Sequence, residues 1–284
     1  MTERADRAPV ALYVLATFAV TWLLWWACAR WGGQRWLFAL GGPLFLVGVF
    51  TPGLLALAFA ARHDGHAGVR RLLAGIARWS VPARLYLFAL GFMVATRLAA
   101  AVVHRVARGD WPPFGDTPVP LMVAAIVVST WVQGGEELGW RAYLLPRLAR
   151  RVGLGGATVM VGVIWAAWHL PLFFIPGSGS DGQSFPLYLV HVTALSVAMG
   201  WLYWKSAGSL FVVMVMHASI NNTASLVPAA LPAPVPVFSM YGSLLAWTTA
   251  AVAWIVAAAL LYDMRGARLA MMAGAPAMKA RTTP

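Results

Sequence analysis

The sequence predicts an all-α polytopic membrane protein, a bundle of about eight transmembrane helices. Three observations lead there. The 284 residues are 61% hydrophobic and 11% charged, with a mean hydropathy of +0.73, whereas soluble domains carry about 25% charged residues. Apolar runs long enough to cross a bilayer, which takes roughly 17–25 residues, recur along the whole chain. The basic residues fall between those runs and form no single patch.

In order, the runs lie near 10–29, 37–61, 85–103, 119–144, 157–175, 185–204, 209–228 and 239–262. The first follows Arg4 and Arg7 and contains Ala27-Cys28-Ala29, which resembles a signal-peptide cleavage site. Its apolar core exceeds the roughly 7–15 residues of such a signal, so a retained helix is expected. Between the second and third runs, Val69, Leu72, Leu73 and Ile76 alternate with arginines at helical spacing, which reads as a short amphipathic helix over 68–79 on the membrane face. The segments 109–118 and 176–184 are rich in turn residues, and a tight turn is expected at Lys205–Gly208. Residues 1–8 read as a polar tip, 9–262 as one transmembrane domain and 263–284 as a disordered basic tail.

Counting Lys and Arg sets the orientation. With the N-terminus in the cytoplasm, the cytoplasmic segments hold 16 of them and the outer segments 4, namely Arg30, Arg35, Arg105 and Arg108. That split places both termini in the cytoplasm. The net charge of +12 therefore reports topology, and no nucleic-acid partner is expected. The partners expected are membrane lipids and a membrane-anchored peptide or protein. One cysteine, Cys28, excludes a disulfide framework or a thiolate metal cluster.

Against this apolar background stands GGEELGWR, residues 134–141, with two of the three glutamates in the chain. A carboxylate at membrane depth is costly unless it is paired or functional. Glu137 and Arg141 are four apart, acid first, the favourable order for a helical ion pair. Glu136 points about 100° away from Glu137 and is left free by that pairing. Two further stretches place polar groups inside spans: Trp165 to His169, and His217 with Asn221 four residues on. With a rise of about 1.5 Å per residue, Glu136 and His217 lie roughly 12 Å from the cytoplasmic ends of their helices, and His169 and Asn221 roughly 18 Å. Structural polar residues have no reason to share one slab. Convergence marks a site. His63, His66, His104 and His191 show no such convergence and read as structural.

A carboxylate beside one histidine, with a second histidine and an amide opposite, suits hydrolysis. Glu136 would act as general base on a water that His169 helps to hold, and His217 and Asn221 would donate to the oxyanion. Glu137 and Arg141 would support the site, and Trp165 and Trp140 would line the substrate pocket. HExxH, GxGD and GxSG, the signatures of other intramembrane hydrolytic sites, do not occur in the sequence. A zinc version with Glu136, His169 and His217 as ligands stays open; the residues leave both routes open, with a slight lean to the metal-free one, and no cofactor is firmly expected.

The three stretches resemble the CPBP intramembrane proteases, which comprise CAAX-prenyl endopeptidases and their bacterial relatives. That family's ordered motifs are EExxxR, FxxxH and HxxxN. The first matches at Glu136, Glu137 and Arg141, and the third at His217 and Asn221. In the second His169 is in place and Trp165 stands where the family usually has Phe, which keeps an aromatic wall. The resemblance covers about 132–222. It implies an eight-helix bundle with an intramembrane catalytic cavity open to the cytoplasm, in a multi-pass protein of the bacterial cytoplasmic membrane. It also implies endopeptidase activity, on a lipid-modified or bacteriocin-like peptide. A non-catalytic membrane scaffold and a small-solute transporter are the competing readings.

Overall fold

A computed structural model describes residues 2–32, 41–228 and 234–267, and these are helical with short connections. In chain order they form α1 (Thr2–Gly32), α2 (Gly41–Ala74), α3 (Ala83–Arg108), α4 (Val119–Glu137), α5 (Leu145–Trp168), α6 (Phe185–Lys205), α7 (Leu210–Asn222) and α8 (Leu244–Asp263). A π-helical turn, Leu138–Leu144, joins α4 to α5, and a 3-10 turn, Leu170–Phe174, follows α5. The chain is a polytopic helical membrane protein. Among the described residues, six stretches have the length and apolarity to cross a membrane.

The difference from the eight expected runs has two sources. The fourth and fifth runs are joined in one continuous stretch, Val119–Phe174, interrupted at Gly153, whose φ of 78° breaks the helix. The seventh run holds α7, whose 13 residues are shorter than a full span. Gly65, with φ 64°, similarly divides α2 into a long membrane segment and a short helix ending at Ala74. That short helix is the expected amphipathic one, though it stops before residue 79. Leu72 is buried and Arg70 and Arg71 are exposed, while Leu73 is exposed too. The tight turn after Lys205 is present, with Ala207 and Gly208 both at positive φ; Arg78 donates to the Ala207 carbonyl across it. The expected tail lies outside the described residues from 268 onward.

Helix packing closes a ring: α1 packs on α2, then α2 on α4, α4 on α7, α7 on α3, α3 on α8, α8 on α6, α6 on α5 and α5 back on α1. The contact of α6 with α7 crosses that ring. The helices that carry the three motifs therefore do not follow one another around the bundle; α4 and α7 are neighbours, and α5 reaches them across the interior.

Close approach fixes α4 against α2. A Cβ built on Gly135 would meet Phe50 Cγ at 2.8 Å, and one on Gly139 would meet the Pro52 carbonyl carbon at 2.7 Å. Lipid offers helices no hydrophobic drive to associate, so small residues that let backbones touch carry the packing. Tyr13 from α1 donates to the Pro52 carbonyl at 3.0 Å and locks the same junction. Gly139→Ala should lower the melting temperature of the purified protein, with an overpacking cost of about 1–3 kcal/mol. Gly91→Ala should not, since nothing lies within 4 Å of its Cβ position. Equal melting temperatures for the two variants would contradict this packing.

Candidate active site

Seven consecutive buried residues, Leu138–Leu144, form the π-helical turn. Pro146 has no N–H to return to the preceding turn, and the Leu145 N–H reaches back to the Trp140 carbonyl, five residues away. Wider turns of this kind are frequent at functional sites. Here it carries Arg141 directly over Glu137: Arg141 Nη1 lies 2.8 Å from Glu137 Oε1, with both side chains fully buried.

The same Glu137 oxygen takes a second partner. His217 Nδ1 approaches Glu137 Oε1 at 2.7 Å, joining α7 to the end of α4. A carboxylate oxygen only accepts, so Nδ1 carries the hydrogen and Nε2 is turned to the other side. Sequence spacing pairs Glu137 with Arg141 alone; the histidine contact spans 80 positions and leaves no local trace.

Glu136 is held differently. Trp165 Nε1–H donates to Glu136 Oε2 at 2.6 Å, fixing one carboxylate oxygen. The Arg141 guanidinium lies 4.5 Å from the Trp165 ring centroid, a cation–π distance, and the His217 ring meets the same indole edge-on at 5.1 Å. Trp165 thus touches Glu136, Arg141 and His217 at once. His169 is half-buried at the end of α5; its Nδ1 lies 2.8 Å from the Trp165 carbonyl, which orients Nε2 away from its own helix.

Two expected residues take other places. Trp140 is fully enclosed and packs on Tyr13 and Trp168 at ring separations of 6.4 and 5.7 Å. It is a core residue that backs the site, not a pocket wall, because the π turn faces its indole toward α1 and the end of α5. Asn221, one turn beyond His217 on α7, is exposed and takes no hydrogen bond among the described residues, whereas the neighbouring Asn222 bonds Ser129 Oγ and the Ala218 carbonyl, each at 2.8 Å.

Sequence reasoning missed Trp168 and Tyr188. The Trp168 ring sits 4.7 Å from His169 and its carbonyl accepts from Trp22 Nε1 at 2.9 Å. Tyr188 meets His169 at 5.6 Å from α6. Trp168 adjoins His169 in sequence; Tyr188 had no signal beyond being aromatic.

Among the described residues, no three His, Cys, Asp or Glu side chains cluster as metal ligands. Glu136 Oε2 is occupied by an indole N–H, His217 Nδ1 by Glu137 and His169 Nδ1 by a backbone carbonyl.

Removing Arg141 would leave Glu137 buried with only His217. Arg141→Met should destabilise the folded protein by about 3–5 kcal/mol, read by equilibrium unfolding in mixed detergent. Adding Glu137→Gln should recover part of that loss; a double variant no more stable than the single one would contradict the pair.

Comparison with known proteins places this geometry in context. The sequence model of the type II CAAX prenyl endopeptidase Rce1-like family matches residues 117–223, the segment that holds all three motifs. A protein of Methanococcus maripaludis named CAAX prenyl protease 2 is 23% identical over 230 residues, covering 76% of this chain and 83% of its own. With its ordered EExxxR, aromatic-xxxH and HxxxN motifs on a helical membrane fold, the chain is similar to the CPBP intramembrane proteases over that segment.

Proposed function

We propose that the chain is an intramembrane endopeptidase that hydrolyses a peptide bond of a membrane-anchored substrate, lipid-modified or bacteriocin-like, with water activated by Glu136 and His169. The observation that carries this reading is the division of the two glutamates. Glu137 is consumed by Arg141 and His217, each within 2.8 Å. Glu136 has one oxygen steadied by Trp165 and is not part of an ion pair among the described residues.

The steps follow from those contacts. Glu136 takes a proton from water as the water oxygen attacks the scissile carbonyl, and His169 Nε2 holds the water in line. The tetrahedral oxyanion accepts from His217 Nε2. His217 donates through Nε2 only when that atom too bears a hydrogen, and the Glu137 carboxylate on Nδ1 supports the resulting imidazolium. Collapse breaks the C–N bond, and the proton held by Glu136 passes to the leaving amine. This route is written without a metal. The charge count supports a multi-pass membrane protein with both termini in the cytoplasm.

The test uses the purified chain in liposomes with a library of membrane-anchored peptides and a chelator titration. Glu136→Gln should keep the wild-type melting temperature and lose at least about 10³-fold in cleavage rate, within the range ascribed to general bases. Glu137→Ala should lose folded yield and cleavage together. Cleavage that survives in Glu136→Gln, or that chelator removes and zinc restores, would overturn the proposal. A wild type that cuts nothing in the library would favour the scaffold reading, and solute flux driven by a gradient would favour transport.

A further inference from the structure

Tyr188 on α6 lies outside the motif residues but against them. Its ring meets His169 at 5.6 Å and Phe173 at 5.1 Å, both edge-on. A phenylalanine would make those contacts equally well, so they give no reason for the hydroxyl. A tyrosine O–H in such surroundings usually finds a partner, yet the Tyr188 hydroxyl takes no hydrogen bond among the described residues. Tyr188 is half-buried and lines a cavity of about 700 Å³ among α3, α6 and α8, where a substrate can reach it. Glu136 acts electrostatically on both Tyr188 and His169, and His217 acts on His169. The four side chains therefore cluster.

Hydrolysis in this cluster is short of donors for the oxyanion. His217 Nε2 is one. The nearby N–H groups are committed or enclosed. Trp165 Nε1 already donates to Glu136 Oε2 at 2.6 Å. The Trp168 indole, 4.7 Å from His169, is fully enclosed with its Nε1, beyond the reach of a substrate. Arg141 is fully buried against Glu137 and Met199. Asn221 stands exposed, one residue from the end of α7. A charged oxygen formed away from water depends on donors already aimed at it, and the Tyr188 hydroxyl is uncommitted and accessible.

We propose that Tyr188 is a further catalytic residue, whose hydroxyl donates a hydrogen bond to the oxyanion of the tetrahedral intermediate alongside His217. This rests on the hydrolytic reading above. As the water oxygen bonds to the carbonyl carbon, the C=O electron pair moves onto the carbonyl oxygen, and the Tyr188 O–H donates to it. Tyr188 keeps its proton throughout. The pair returns as the C–N bond breaks, and the hydrogen bond weakens again. A contact that strengthens only on the way to the intermediate acts on kcat and leaves KM alone.

Tyr188→Phe keeps the ring and removes only the O–H. Two measurements are made on the purified full chain in detergent. The first is cleavage of the best-cut peptide of the library. The second is calorimetric binding of two isosteres of lauroyl-alanyl-leucyl-leucinamide altered at the Leu–Leu bond. One is a phosphinate, whose tetrahedral P–O⁻ mimics the oxyanion; the other is a ketomethylene, which keeps a trigonal carbonyl and cannot be cut.

Tyr188→Phe should lower kcat by about 10²-fold, the scale of one lost oxyanion donor. KM should stay within about twofold. Phosphinate affinity should fall with kcat while ketomethylene affinity holds. Fluorine NMR of a fluorotyrosine placed at position 188 should show a shift with phosphinate and none with ketomethylene, and it decides the matter if Tyr188→Phe does not fold. A Tyr188→Phe kcat within about threefold of wild type, well short of a lost donor, would overturn the assignment and leave hydrolysis standing. So would a change in KM alone, equal losses for the two isosteres, or a fluorine signal that phosphinate does not move. A wild type that neither cuts peptide nor prefers phosphinate would take the hydrolytic reading down as well.

Discussion

One carboxylate oxygen carries much of this site. Glu137 Oε1 lies within 2.8 Å of both Arg141 and His217, and neither partner could be left unpaired inside a membrane bundle without a cost of several kcal/mol. That single acceptor ties the end of α4 to α7, fixes which nitrogen of His217 carries its hydrogen and balances the arginine of the motif. It also explains why the motif needs two adjacent acids. With Glu137 committed, Glu136 has only an indole N–H on one oxygen and stays available for chemistry.

Around this ion cluster the protein builds rigidity from aromatic rings and bare backbone. Trp165 links Glu136, Arg141 and His217, and Trp168 braces His169 against α1 through Trp22 and Trp25. Gly135 and Gly139 flank the glutamates and press the helix onto α2. The same residues that make the turn chemically useful thus make it closely packed, and a glycine change there reaches the acids through the backbone.

Much of this was legible before any coordinates. Four-residue spacing shows that Glu137 can meet Arg141, because that pairing is local. Turn residues and positive charges mark the connections, since backbone conformation and topology are written locally as well. What could not be read depends on how distant helices meet. The His217 contact to Glu137, the indole on Glu136, and the meeting of Tyr188 with His169 all come from the order of helices around the ring, which hydropathy does not encode. A regular helix does not foretell that Trp140 turns into the core at the π turn before Pro146, and the count of spans differs because the fourth and fifth runs join in one stretch bent at Gly153 and α7 is short.

The central claim is that Glu137, and not Glu136, holds His217. Nitrogen-15 NMR of the histidine-labelled protein in detergent, with His217 assigned by His217→Gln, tests it directly. The account predicts a strongly hydrogen-bonded Nδ1–H signal from His217 that persists in Glu136→Gln and is lost or shifted in Glu137→Gln. A signal that survives Glu137→Gln unchanged, or that vanishes in Glu136→Gln, would contradict it.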